Sequence, residues 1–188
     1  MTGDAEMTPQ RIAALKARLD RPVVLVGLMG SGKSTVGRRL AGLLGTGFVD
    51  SDTAIEDAAQ RSVAEIFEQF GEAHFRDGER RVIARLIEEG HGVIATGGGA
   101  FIDADTRQIV LSHAIAVWLD CDVDTLVERT RRRDSRPLLR NGDPRAILAR
   151  LHAERAPAYA EAPIHIAAGE MPHRQTTLQI LEAIERWL

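Results

Sequence analysis

The chain is poor in several things, and each shortage narrows what it can do. It has one cysteine, Cys121, which excludes an intramolecular disulfide framework and a clustered cysteine zinc site and makes a reducing cytoplasm the expected compartment. No segment approaches the ~18 consecutive apolar residues that cross a bilayer; the longest apolar run, Pro22–Met29, reads as a buried strand. Aromatic residues make up 4% of the chain, too few for the stacking platforms of single-stranded nucleic-acid binders. The formal net charge of −3 also argues against a nucleic-acid partner held by bulk electrostatics, and neither nucleic acid nor membrane is expected. The first 21 residues hold Asp4, Glu6 and Asp20 and no apolar stretch, so they do not read as a secretory signal. The histidines show no metal-ligand spacing. Lysine is the scarcest charged residue: Lys16 and Lys33 are the only two among 24 basic side chains. Codon bias is the ordinary cause of such an arginine excess, yet it leaves Lys33 conspicuous.

What is present suits one folded domain. At 188 residues and 44% hydrophobic content the chain can bury a core. Residues 1–20 read as an N-terminal arm with a short helix, in which Thr8 caps, Pro9 starts, and Ile12, Leu15 and Leu19 form an apolar stripe. Residues 21–188 read as a single domain. Candidate strands at 23–26, 47–49, 92–95, 115–119 and 164–166 alternate with helical patterns at 33–44, 53–59, 63–70, 72–89, 104–111, 123–132, 144–153 and 176–187. Short β-branched runs without polar alternation, separated by helices, predict a parallel sheet of about five strands covered on both faces. This doubly wound α/β sandwich binds ligands at the carboxyl ends of its strands.

The sharpest local signal lies in Gly27-Leu-Met-Gly-Ser-Gly-Lys33-Ser34-Thr35. It follows the first strand, opens the next helix, and matches the phosphate loop of P-loop NTPases in the context that motif needs. Glycines at 27, 30 and 32 let backbone N–H groups turn inward, where the positive helix terminus also favours an anion. Lys33 is set to reach β- and γ-phosphates, and the Ser34 hydroxyl to ligate Mg²⁺.

Other strand ends carry further chemistry. Asp50 and Asp52 fall at the carboxyl edge of the second strand, two residues apart, so both carboxylates can face one cleft. One suits Mg²⁺ through water and the other a substrate hydroxyl; Asp52 or Ser51 equally suits a cap for a helix starting at Thr53. Gly97-Gly98-Gly99 after the third strand marks a close backbone approach or a plain turn. No acid of the Walker-B kind ends that strand, which disfavours a motor ATPase. Nine arginines crowd residues 129–155 against Asp134, Asp143 and Glu154, as in a lid over a triphosphate. Most of them read equally well as a solvated helix face. Arg76, among Arg80, Arg81 and Arg85, has the same two readings; Arg155 can pair with Glu154 or Glu161, and Tyr159 reads as packing.

Taken in order, Gly27 to Thr35, Asp50-Ser-Asp52, Phe75-Arg76 with Glu79, Gly97-Gly98-Gly99, Arg136-Pro-Leu-Leu and Glu154-Arg155-Ala-Pro-Ala-Tyr159 resemble the shikimate kinase family from about residue 21 to 187. The resemblance implies transfer of the ATP γ-phosphoryl group to the 3-hydroxyl of shikimate, on the route to chorismate and the aromatic amino acids. It assigns ATP to Gly30, Ser31, Gly32, Lys33, Ser34, Thr35, Arg129 against adenine and Arg136 on a lid spanning about 131–145. It assigns shikimate to Asp52, Arg76, Gly97, Gly98, Gly99 and Arg155, with Lys33, Asp52 and Arg136 catalytic, and Mg²⁺ to Ser34 and, through water, Asp50. Bidentate guanidinium groups suit a carboxylate substrate. The arm to about Asp20 lies outside the usual core of the family, and residues 167–174, where the family closes over adenine, carry no distinctive motif. A monomer is the simplest expectation. The rival readings are a sugar-acid kinase such as gluconate kinase and a catalytically silent nucleotide-binding module.

Overall fold

The computed structural model describes residues 7–131, 142–169 and 171–188. Strands β1 (Val23–Val26), β2 (Phe48–Asp50), β3 (Val93–Ala95), β4 (Ile115–Asp120) and β5 (Ile164–Ala167) form one sheet in the order β2-β3-β1-β4-β5. Every neighbouring pair is parallel, with Val24 opposite Ile94 on one side and Ala116 on the other. After β1 the chain crosses to the far position of β2, returns to β3 beside β1, then passes to β4 on the opposite side. The strand order therefore reverses at β1, and the crevice for a ligand lies beyond its carboxyl end.

Eight helices surround the sheet among the described residues: α1 (Pro9–Arg18), α2 (Lys33–Leu44), α3 (Ser51–Ala59), α4 (Val63–Glu88), α5 (Ala104–His113), α6 (Val123–Arg131), α7 (Pro144–Tyr159) and α8 (His173–Trp187). Alternation along β1 sends Val23 and Leu25 to one face and Val24 and Val26 to the other. The first face packs with Val36, Leu40, Ile180 and Ile184; the second packs with Ile83, Phe101, Trp118, Leu126, Leu148 and Tyr159. Full burial of each such side chain contributes roughly 2 kcal/mol. A smaller cluster of Ile55, Ile66 and Phe75 lies under α3 and α4.

The predicted cap at Thr8 is present, its hydroxyl accepting from Arg11 N–H at 3.3 Å, and α1 is not a loose appendage. Leu15 is buried at 1% exposure, Arg11 pairs with Glu185 on α8, and the Lys16 ammonium donates to Gly45 O at 3.0 Å.

Several helix boundaries differ from the sequence expectation; α5 runs on to His113 and α8 starts at His173. Helix α3 starts at Ser51 rather than Thr53 and is capped by Asp50, whose carboxylate accepts from Asp52 N–H at 3.2 Å; the expected caps, Ser51 and Asp52, are already helical. The two expected helices of 63–89 run end to end as α4, with a kink at Gly71 (φ 80°, ψ 173°). Helix α7 continues past Ala153 to Tyr159 and absorbs Pro157. Proline so near a carboxyl end removes one hydrogen bond without disrupting a long run, and the extension puts Arg155 and Tyr159 on one helix face.

Candidate active site

The phosphate loop turns between β1 and α2. Gly32 sits at φ 95°, where a Cβ would meet His173 at 3.2 Å, so both conformation and close approach require glycine. The Lys33 ammonium is buried against the loop and donates to Gly27 O at 2.7 Å and Leu28 O at 2.8 Å. The Ser31 hydroxyl is also buried and has no hydrogen-bond partner among the described residues. Thr35 lies on the exposed side of the first turn of α2, and Gly30 packs against Thr130 and Leu126 of α6.

The end of β2 and the first turn of α3 bring Asp50 and Asp52 to the same edge, where they take different partners. Asp50 accepts from the Ser34 hydroxyl at 2.7 Å while capping α3, which ties the phosphate loop to the neighbouring helix. Asp52 turns instead toward the glycine turn. Burial, and then the neighbouring Asp50 carboxylate, hold the Asp52 carboxyl above the usual aspartate range, against the opposing pull of Lys33 and Arg76.

The three glycines after β3 each meet a different candidate substrate ligand. A Cβ on Gly97 would lie 2.7 Å from Asp52 Oδ1 and 3.2 Å from Glu79 Oε1; on Gly98 it would lie 3.7 Å from Arg155 Nη1 and 3.3 Å from Met29 N; on Gly99 it would collide with the Arg76 guanidinium. The turn is itself fixed: Thr96 Oγ1 donates to Leu25 O at 3.0 Å, and Gly97 N–H donates to Ser51 Oγ at 3.3 Å.

Arg76, half-buried on α4, donates to Glu79 Oε2 at 2.6 Å and to the more exposed Glu72 at 3.4 Å. It is therefore not part of a solvated stripe, although Arg80 and Arg81 are, both pairing with Asp77. Glu79 is 1% exposed, and burial raises its carboxyl above the normal range despite Arg76; its Oε1 has no hydrogen-bond partner among the described residues. Arg155 pairs with neither Glu154 nor Glu161, which bind Arg150 and Arg107. Its Nη1 donates to Gly98 O at 3.0 Å. Tyr159, expected only to pack, donates its hydroxyl to the same carbonyl; burial pushes the phenol up to about 12, so it stays a donor. The helix expected at 144–153 stopped short of both Arg155 and Tyr159, so helical spacing did not link them.

On the other flank, Arg129 donates from Nη2 to Gly169 O at 2.7 Å and from Nη1 to Ala168 O at 3.4 Å. His173, in the segment without a motif, lies between Arg129 and Arg39; burial and then those two charges keep its imidazole below the usual histidine range. Arg136 and most of the expected lid lie outside the described residues.

A phosphate loop joined at one sheet edge to an acid and two guanidinium groups defines a P-loop kinase for a small anionic alcohol. The comparisons specify the class. The family model for shikimate kinase matches residues 29–185, and the shikimate kinase of Novosphingobium aromaticivorans is 55% identical over 98% of this chain and 97% of its own length. The chain belongs to the shikimate kinase family. The shikimate kinase of Acinetobacter baumannii, solved in complex with shikimate, superposes with a TM-score of 0.85 at 39% identity, over 92% of this chain and 97% of that one. A gluconokinase from Sinorhizobium meliloti reaches a TM-score of 0.63 at 16% identity over 90% and 94%, a likeness of fold alone. Among the described residues no helix is long and apolar enough to cross a membrane.

Proposed function

We propose that the chain binds ATP and shikimate and transfers the γ-phosphoryl group to the 3-hydroxyl, giving shikimate 3-phosphate and ADP. The observation that carries this reading is the glycine turn, whose successive residues abut Asp52, Arg155 and Arg76 while Gly98 also touches the phosphate loop at Met29. An acceptor held there has its carboxylate between two planar guanidinium groups, its hydroxyls at Asp52, and the phosphates alongside. Phosphoryl transfer asks mainly for this positioning and for charge neutralisation.

In the transfer, the acceptor oxygen forms a bond to the γ-phosphorus as the bond to the β,γ-bridging oxygen breaks, and Asp52 takes the hydroxyl proton. Burial suits Asp52 to that work by favouring its neutral product. Lys33 turns from the loop carbonyls to the β- and γ-phosphates, and the unpartnered Ser31 hydroxyl supplies a further donor at the loop. Arg129, with Gly30, Gly32 and Thr35, borders the nucleotide, and Arg136 is assigned to its phosphates. The Ser34 hydroxyl and Asp50 carboxylate, 2.7 Å apart, are hard oxygen donors of the kind Mg²⁺ selects and would hold it, Ser34 directly and Asp50 from behind. Held there, Mg²⁺ would offset the charge that develops on the transferring phosphoryl group.

ADP release from ATP and Mg²⁺, measured with shikimate, gluconate, quinate or no acceptor, tests this reading. Shikimate-dependent release is expected. Release with gluconate alone would retain the phosphate site and discard the acceptor contacts, and no acceptor-dependent release from folded, ATP-binding protein would mark a silent module.

A further inference from the structure

Among the described residues, a further cluster of titratable side chains lies at the same sheet edge, outside the phosphate loop and the glycine turn. Asp120 ends β4. Its Oδ1 lies 2.9 Å from His152 Nε2 on α7, and its Oδ2 lies 3.2 Å from His165 Nε2 on β5. Strand pairing explains half of this grouping. Trp118 and His165 are directly opposite, and Asp120 shares the face of Trp118 two residues on. His165 stacks on the Trp118 indole with centroids 4.1 Å apart and planes at 11°, which holds the imidazole beside the carboxylate.

The other half comes from α7. His152, Arg155 and Tyr159 are spaced i, i+3 and i+7 and so form one stripe. The first meets Asp120, and the other two converge on Gly98 O. Alongside these anchors the helix packs through Leu148, Leu151 and the Trp118–Tyr159 contact at 5.8 Å. Apolar packing is non-directional and tolerates small slides and rotations; hydrogen bonds do not.

We propose that the Asp120–His152 contact sets the register of α7 on the sheet and thereby aims Arg155 at the acceptor carboxylate, making Asp120 and His152 positioning residues for acceptor affinity. His165 holds the second carboxylate oxygen and keeps the first directed at His152. The groups are partly exposed, at 30% for Asp120 and 32% for His152, so the expected effect is that of a modest hydrogen bond, about fivefold in affinity. The proposal rests on the assignment of shikimate as acceptor.

Steady-state kinetics of His152→Ala, Asp120→Ala, the double variant and His152→Gln test it. Each single alanine variant is expected to raise the shikimate KM about fivefold, with kcat and the ATP KM unchanged. The double variant is expected to do no more than either single one, because both remove the same contact. Glutamine places an amide nitrogen near the Nε2 position and is expected to restore the wild-type KM. Should His152→Ala not fold, His152→Asn, whose amide stops short of Asp120, makes the same comparison against His152→Gln. An unchanged shikimate KM overturns the proposal. So does a multiplicative loss in the double variant, or a joint change of kcat and both KM values that glutamine does not rescue. A wild-type protein without shikimate-dependent ADP release overturns the acceptor assignment, and this proposal with it.

Discussion

Ser34 and Asp50, sixteen residues apart, meet at 2.7 Å, with the hydroxyl donating to Oδ2. That contact joins the first turn of α2 to the carboxyl end of β2, and it sets two oxygen donors beside the phosphate loop. Ser34→Ala is expected to raise the Mg²⁺ concentration for half-maximal activity by about tenfold, since one ligand and one second-sphere contact are lost together. A magnesium titration of ADP release at saturating ATP and shikimate measures it; an unaltered midpoint would remove Ser34 from the metal site.

Lys33 is the only cation inside the phosphate loop. Lys33→Ala is expected to lower kcat by about 10²–10³-fold, the scale for losing a positioned group that stabilises transition-state charge. Shikimate binding, followed by calorimetry without nucleotide, should persist, because no acceptor contact is assigned to this side chain.

Arg76→Lys keeps the charge and loses the planar fork, which Glu79 holds in place at 2.6 Å. The shikimate KM should rise about tenfold, with the ATP KM unaffected. Unchanged shikimate affinity would sink the assignment of Arg76 to the acceptor carboxylate.

Asp52 links catalysis to stability through its protonation. Its folded-state carboxyl titrates above the ordinary aspartate range, chiefly through burial, so folding favours the protonated form. The stability contributed by that proton is complete below the unfolded-state value and is lost as pH rises through the folded-state value; at neutral pH the ionised group is therefore a burden. Asp52→Asn should abolish most turnover yet raise Tm by about 2–4 °C at pH 7, with the gain disappearing in acid. The acid limb of the wild-type kcat profile should correspondingly lie above the titration range of a free aspartate. Thermal melts of both proteins across pH, with the rate profile, decide the matter.

Leu15 connects the N-terminal helix to the core. Leu15→Ala is expected to cost about 3 kcal/mol, as for other fully buried leucines, with kcat and KM unchanged at temperatures where the variant is folded. Denaturant unfolding is the measurement; a change below ~0.5 kcal/mol, as on a surface, would make α1 a dispensable arm.

Periodicity and local motifs carried much of this protein. The parallel α/β architecture, the phosphate loop on a strand-to-helix turn and the cap at Thr8 depend on residues a few positions apart, and such interactions are written directly in sequence. The site was harder to read. Arg76 and Arg81 lie in the same charged stretch, yet one is locked to buried Glu79 and the other pairs with exposed Asp77; only the packing of α4 against the glycine turn separates them. The reading of α7 stopped at Ala153, whereas tertiary contacts of Tyr159 hold two further turns in place around Pro157.

Sequence alone therefore determined the layered fold, the anion-binding loop and, through six ordered motifs, the family, since each is encoded by short-range spacing. Tertiary structure decided which charged groups face one another: Asp50 toward Ser34, Asp52 toward Gly97, Arg155 and Tyr159 onto Gly98, and His152 onto Asp120. Those pairings join residues 16 to 61 positions apart. Most of them exist only because β1, β3 and β4 end at one edge and α7 is laid across it, a juxtaposition that no local pattern contains.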